Sequence, residues 1–271
     1  MTATPKRFPA SLKSAAAPQR ELLMPQRHLR QATADAARLA RPSTGTGLDS
    51  GAVRERMVAR LRAEGKFDER VLAAMASVPR HEFVDSALAA QAYEDTALPI
   101  GHGQTISKPS VVAHMLGLLM AGPGARQRGT LGRVLEIGTG CGYQAAVIAL
   151  LARQLTSIER VQGLHDKARA HLQRVKSQPA PRLVWGDGRA GHAASGPFDS
   201  IIAAAGGEDI PPAWMEQLAP GGRLVAPMAP TASGKGQVLV VLDHVVEGGV
   251  GRWLRREHEA VLFVPLKSGV L

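Results

Sequence analysis

An α/β fold, with a doubly wound and mostly parallel sheet behind an N-terminal helical portion, is what this sequence predicts. Three observations carry it. Short apolar runs alternate with helix-length segments from Val134 onward. The first run passes directly into glycines at alternate positions, and acidic residues close or flank three successive runs.

Residues 1–50 come first and read as a disordered extension, rich in Pro and Ala and lacking bulky apolar periodicity. They hold eight Lys or Arg against three acids, so half of the chain's net charge of +10 resides there and the body is only mildly basic. The folded domain is expected over residues 51–271, with a helical, substrate-side portion at 51–120 and a cofactor-binding sheet at 133–271. Val53, Met57 and Leu61 recur every four residues as one helical face, and Gly65 offers a stop. Asp68 can cap a second helix through Val71, Leu72 and Met75, which Pro79 ends. His81, with no second ligand nearby in sequence, reads as structural.

Residues 93–109, Y-E-D-T-A-L-P-I-G-H-G-Q-T-I-S-K-P, form a polar, glycine-punctuated loop that leads into an apolar helix over 111–120. Pro109 suits the first turn. A helix N-terminus carries unpaired N–H groups and can hold a carboxylate. Ser107 is therefore either an N-cap or a hydroxyl that orients an anionic substrate.

A Gly/Arg linker is expected over residues 122–132. Strands are then expected at 134–137, 154–158, 182–185, 200–204 and 223–226, with a helix over 144–151 and another over 213–218. Such alternation is Rossmann-like and places ligands at the carboxyl ends of the strands. The tail offers two apolar runs, V-L-V-V-L and V-L-F-V-P-L, as an antiparallel hairpin extending the sheet. Residues 233–236, Ser-Gly-Lys-Gly, read as a flexible turn.

The chemistry begins at V-L-E-I-G-T-G-C-G-Y, residues 134–143. A P-loop is excluded because no Lys-Ser or Lys-Thr pair follows the glycines. A dinucleotide fingerprint wants a third small residue where Tyr143 stands. What remains is an acid, Glu136, ahead of Gly138, Gly140 and Gly142, which suits a ligand lacking phosphate and bearing a cationic end. S-adenosyl-L-methionine fits that description; the alternative is a turn whose glycines only relieve crowding. Glu159 stands where a carboxylate can take ribose hydroxyls, and Asp187, in W-G-D-G ending at Gly188, where one can accept from an adenine amino group.

The bulk composition narrows the classes further. No run reaches the roughly 18 apolar residues needed to span a bilayer, so no membrane partner is expected. Cys141 is the only cysteine, which excludes an internal disulfide, and no Cys/His cluster at zinc spacing implies a metal. Aromatics are 4% of the residues, leaving few stacking platforms for nucleic-acid bases.

With V-P-R-H-E-F-V (78–84), L-P-I-G-H-G-Q-T-I-S-K-P (98–109), the glycine loop and a terminal F-V-P-L, the chain resembles the protein-L-isoaspartate (D-aspartate) O-methyltransferase family. The resemblance runs from about Val53 to Leu266. It implies a class I S-adenosylmethionine-dependent methyltransferase fold, and methyl transfer to the α-carboxyl of isoaspartyl residues in damaged proteins and peptides. With no signal-peptide pattern and few aromatics, a cytoplasmic protein without a specific nucleic-acid partner is expected, and a monomer. Ser107 matches the family's active-site serine, with Thr105 and Ile106 as its substrate-side neighbours. The chain departs from the family pattern at Lys108-Pro109-Ser110, where Gln-Pro and then an aromatic or His is usual. Two rival readings remain: an enzyme acting on nucleic acid or a small molecule, and a non-catalytic cofactor-binding adaptor.

Overall fold

The computed structural model describes residues 51–231 and 236–271. The basic leader, and residues 233–235 of the expected turn, lie outside them.

The helical portion opens with α1 (Gly51–Ala63), which buries Met57, Val58 and Leu61. Gly65 follows at φ +67, the left-handed stop anticipated there. In α2 (Glu69–Ser77) Asp68 accepts from the Arg70 amide at 2.9 Å as N-cap. The polar stretch before Pro109 is more ordered than a loop. β1 (Leu98–Gly101) and β2 (Gln104–Ile106) form an antiparallel hairpin, because Gly101, His102 and Gly103 all take positive φ and turn the chain tightly. Pro109 begins α3 (Pro109–Met120). The expected linker over 122–132 also contains a helix, α4 (Pro123–Arg128), opened by Pro123 and closed by Gly129 at φ +70.

A seven-stranded sheet follows, in the order β5-β4-β3-β6-β7-β8-β9. Its strands are β3 (Arg133–Ile137), β4 (Gln154–Glu159), β5 (Arg182–Trp185), β6 (Phe198–Ala203), β7 (Leu218–Met228), β8 (Gln237–Glu247) and β9 (Val250–Val261). β5 through β7 run parallel, while β8 and β9 are antiparallel additions. The chain fills one half of the sheet from β3 outward and then starts the other half at β6. The crevice between β3 and β6 is therefore the switch point, where open α/β sheets bind ligands.

Alternation along the strands divides the core in two. Leu135 and Ile137 face Ile201, Leu224 and Trp214. Val134 faces Val112, Leu116 and Val147, with α3, α5 (Tyr143–Ala149) and α6 (Gln162–Arg174) covering that side. Cys141 is buried in this second core. On the first side the cover is shorter, α7 (Pro212–Glu216), whose Trp214 is wholly buried and donates Nε1–H to the Gly188 carbonyl at 2.8 Å.

The C-terminal hairpin differs from expectation. The second strand, β9, is the charged segment around residues 252–259, and V-L-F-V-P-L leaves the sheet after Val261, held instead by the Phe263 amide donating to the Gln237 side chain and by Gly206, whose amide donates to the Val264 carbonyl and whose carbonyl accepts from the Leu266 amide. β9 is an edge strand. Charged residues suit an exposed edge because they discourage pairing with another chain, and they carry no burial pattern that would mark the segment as a strand.

Candidate active site

All three glycines of the loop after β3 have positive φ: Gly138 at +88, Gly140 at +57 and Gly142 at +93. Only glycine takes these angles without strain. The loop is tied to the next strand, since the amides of Gly138 and Thr139 both donate to the Ile158 carbonyl, at 2.8 and 3.2 Å.

Glu159, the last residue of β4, is 5% exposed. Its two carboxylate oxygens accept from the amides of Gly140 and Val161, each at 2.9 Å. A carboxylate has about four acceptor positions, so two remain for a ligand. On the adjacent strand end, Asp187 accepts from the Arg189 amide at 2.8 Å and from the Gly269 amide at 2.7 Å. Gly188 follows it, buried, and a Cβ there would stand 2.5 Å from the Ile137 side chain. The position requires glycine for packing alone.

Glu136 is placed differently from the expectation that it faces the ligand's charge. It is 0% exposed, pointing into the second core because alternation from Leu135 turns it there. One oxygen accepts from Gln144 Nε2 at 3.0 Å and the other from the Ser157 hydroxyl, which also bonds Thr139 Oγ1 at 2.6 Å. The carboxylate is thus a brace beneath the glycine loop. Burial pushes its pKa up to about 7, against the opposing pull of the Ser157 and Gln144 hydrogen bonds.

The β1–β2 hairpin folds onto this cradle. The Ile100 side chain lies 3.3 Å from where a Gly140 Cβ would sit, and His102 fills the space over Gly163 at the start of α6. Lys167 Nζ, from α6, donates to the Ile100 carbonyl at 3.0 Å. Sequence elements some forty residues apart therefore share one cleft wall.

Ser107 follows β2 and is half-buried. It is not the helix cap: Lys108 holds that position, its carbonyl accepting from the Val112 amide at 3.1 Å. The Ser107 hydroxyl makes no hydrogen bond to any described residue, whereas its carbonyl accepts from Arg80 Nη2 at 2.7 Å. Thr105 is half-buried in the hairpin opposite Pro99. Ile106 is 5% exposed and packs in the second core, so its side chain does not face the cleft.

The N-terminus of α3, expected to hold a substrate carboxylate, already holds one from the chain itself. Asp95 takes the Ser110 amide and the Ser110 hydroxyl, both at 2.8 Å. Ser110, where the chain departs from the family pattern, supplies both of these bonds.

Arg80 is the residue that sequence reasoning passed over. It is 0% exposed, lies over the Tyr143 ring at 4.7 Å and donates Nε–H to the Ala92 carbonyl at 2.7 Å, besides its bond to Ser107. Burial pushes its pKa down, but a guanidinium remains charged in proteins. His81, beside it, is within 2.7 Å of the Tyr93 hydroxyl, in keeping with a structural part.

A cradle of positive-φ glycines at the switch point, with carboxylates closing the next two strands and no cationic side chain among the loop's own residues, fits a methionine-derived sulfonium better than a phosphate. Fold and site together make this a class I S-adenosylmethionine-dependent methyltransferase. Within that class, the chain belongs to the protein-L-isoaspartate(D-aspartate) O-methyltransferase family, whose model matches residues 52–271. It is 62% identical to the protein-L-isoaspartate O-methyltransferase of Methylibium petroleiphilum, covering 95% of this chain and 91% of the relative. It is 59% identical to that of Leptothrix cholodnii, over 91% and 85%. Among solved structures, a protein-L-isoaspartate O-methyltransferase superposes with a TM-score of 0.68 at 24% identity, over 80% of this chain and 67% of the other. A Plasmodium falciparum protein described as the same enzyme, in complex with S-adenosyl-L-homocysteine, gives 0.64 at 23% identity, over 79% and 98%.

Proposed function

We propose that this chain methylates the α-carboxyl of L-isoaspartyl residues, and of D-aspartyl residues, in damaged proteins and peptides, with Ser107 holding the accepting carboxylate. The observation that carries the reading is the Ser107 hydroxyl, unengaged by any described residue, on a loop packed against the glycine cradle. Bound S-adenosylmethionine supplies an electrophilic methyl on a sulfur that leaves as a neutral thioether.

The chain's own residues have little proton chemistry to perform. A substrate carboxylate is ionised at neutral pH and needs no general base. Ser107 donates its hydroxyl proton to one carboxylate oxygen and leaves the other free to face the methyl. Arg80 fixes the Ser107 backbone, and Ile100 of the hairpin packs beside Gly140. Glu159 takes the ribose hydroxyls and Asp187 the adenine amino group, while Gly138, Gly140 and Gly142 let the ligand approach the backbone and Gly188 seats the Asp187 turn against Ile137. Thr105 and Ile106 contribute through the backbone of β2. Glu136 serves from beneath, by holding Ser157 and Gln144 under the loop. Alignment of this kind can supply several kcal/mol of the barrier, on the order of 7–11 at the upper limit.

We propose further that the enzyme acts as a cytoplasmic monomer without a specific nucleic-acid partner. Among the described residues no helix is long and apolar enough to cross a membrane. Methyl-transfer assays of paired isoaspartyl and aspartyl peptides test the substrate; sedimentation at micromolar concentration tests the monomer, which a stable dimer would contradict.

A further inference from the structure

Away from the cofactor cleft, three potential metal ligands converge. His114 lies half-buried on α3, and His258 and Glu259 lie exposed near the end of β9; their ligating atoms are all within 4.8 Å of one another. Adjacent strand residues ordinarily point to opposite faces. Here the ladder breaks: Val240 pairs with Glu257 and Val238 with Ala260, so His258 and Glu259 together oppose Leu239. That is a β-bulge, a device that re-aims side chains, and it accounts for two neighbouring ligands reaching the same helix.

The local geometry is odd for an ordinary ion pair. His114 Nε2 is 2.9 Å from Glu259 Oε1, yet that buried nitrogen forms no hydrogen bond because the two groups are misaligned. Two donor atoms about 3 Å apart and aimed past each other are what neighbouring ligands of one metal look like, given metal–ligand distances of about 2.0–2.2 Å. The rings of His114 and His258 are 6.4 Å apart and nearly perpendicular, at 67°. His258 is exposed, free to swing its nitrogen inward and leave an entry path.

We propose that His114, His258 and Glu259 form a binding site for a divalent first-row transition metal, zinc foremost, that clamps α3 to the edge strand β9. Two imidazoles and one carboxylate suit Zn²⁺, and Co²⁺ or Ni²⁺ as substitutes, whereas Ca²⁺ and Mg²⁺ prefer all-oxygen sites. The fourth position is left to water. The clamp bears on the active site through α3, whose first turn follows Ser107.

The test is Zn²⁺ binding by the untagged full-length chain, measured by equilibrium dialysis, with Co²⁺ absorption as the report of coordination. The expected result is one Zn²⁺ bound, a rise in Tm with added metal, and a Co²⁺ visible band. In His258→Ala and in Glu259→Gln, affinity falls on the order of tenfold or more and both the band and the Tm rise are lost. Both positions are exposed, so neither change threatens folding. A parent chain that binds no Zn²⁺ at micromolar concentration overturns the proposal, as does one whose affinity and Co²⁺ spectrum are unchanged in both variants.

Discussion

The guanidinium of Arg80, 0% exposed, donates to the carbonyl of Ser107 at 2.7 Å, across 27 positions of sequence. No carboxylate pairs with it among the described residues; two carbonyls and the face of Tyr143 surround the charge. A buried cation so placed orders the loop that presents the Ser107 hydroxyl. Arg80→Lys shortens the reach and cannot span both carbonyls. The expected outcome is a loss of about 2–4 kcal/mol in unfolding free energy and a fall in kcat, with KM for S-adenosylmethionine little changed. Denaturant unfolding and steady-state kinetics on the same sample separate the two effects. A kcat equal to the parent's in a destabilised protein would show Arg80 to be structural only.

Ser107→Ala removes a single hydroxyl that nothing else in the described chain uses. A hydrogen bond to a charged group contributes about 1.5–3 kcal/mol, so kcat should fall roughly 10- to 100-fold. Cofactor affinity, measured by titration calorimetry, should stay within about twofold, since the cradle is built from other elements. Equal losses in both would place the serine in the cofactor site instead.

Glu159→Gln should do the reverse. The carboxylate bonds the glycine loop and is proposed to bind the ribose, so its neutral replacement should weaken cofactor binding by roughly tenfold or more, with a smaller loss in kcat at saturation. An unchanged cofactor affinity contradicts the assignment.

Glu136 predicts a pH signature. Its folded pKa is raised, from the ordinary 4.5 to about 7, so the folded state holds the proton more tightly than the unfolded chain. The unfolded state therefore loses its proton first, and stability from this group falls as pH rises from about 4.5 to about 7, by on the order of 3 kcal/mol. Glu136→Gln should lack that slope. Urea unfolding of both proteins at pH 5 and pH 7.5 provides the comparison, because groups common to both cancel in the difference. Parallel pH profiles would mean that the carboxylate is not so strongly perturbed.

A chain beginning at Leu48 should retain the parent's Tm and methyl-transfer rate. The first described helix starts at Gly51 and the family match at residue 52. Loss of either property would make the basic leader part of the domain.

The parts legible in the sequence were those whose chemistry is local. Alternate glycines need positive φ wherever they stand, and strand-end acids announce themselves by spacing, so the cradle and the parallel sheet could be read directly. Contacts between distant residues could not. Arg80 lay in plain view within V-P-R-H-E-F-V, but a fully buried arginine without a carboxylate runs against the ordinary placement of that residue. Asp95 reaches Ser110 across 15 positions, and nothing in Y-E-D-T marks it as the acid that closes α3. Glu136 stands out in the sequence ahead of the glycines, but its inward direction does not, because periodicity shows that a residue alternates and not which face the ligand occupies. β9 is not legible as a strand because an edge strand need not be apolar.

In the proposed function, the Ser107 side of the cleft selects the α-carboxyl of an isoaspartyl residue. One peptide made in two forms, isoaspartyl and normal aspartyl, and incubated with labelled S-adenosylmethionine and the full-length enzyme, tests it most directly. Methyl ester should form on the isoaspartyl peptide and at most marginally on its normal counterpart. Equal labelling of both, or of neither, would contradict the account.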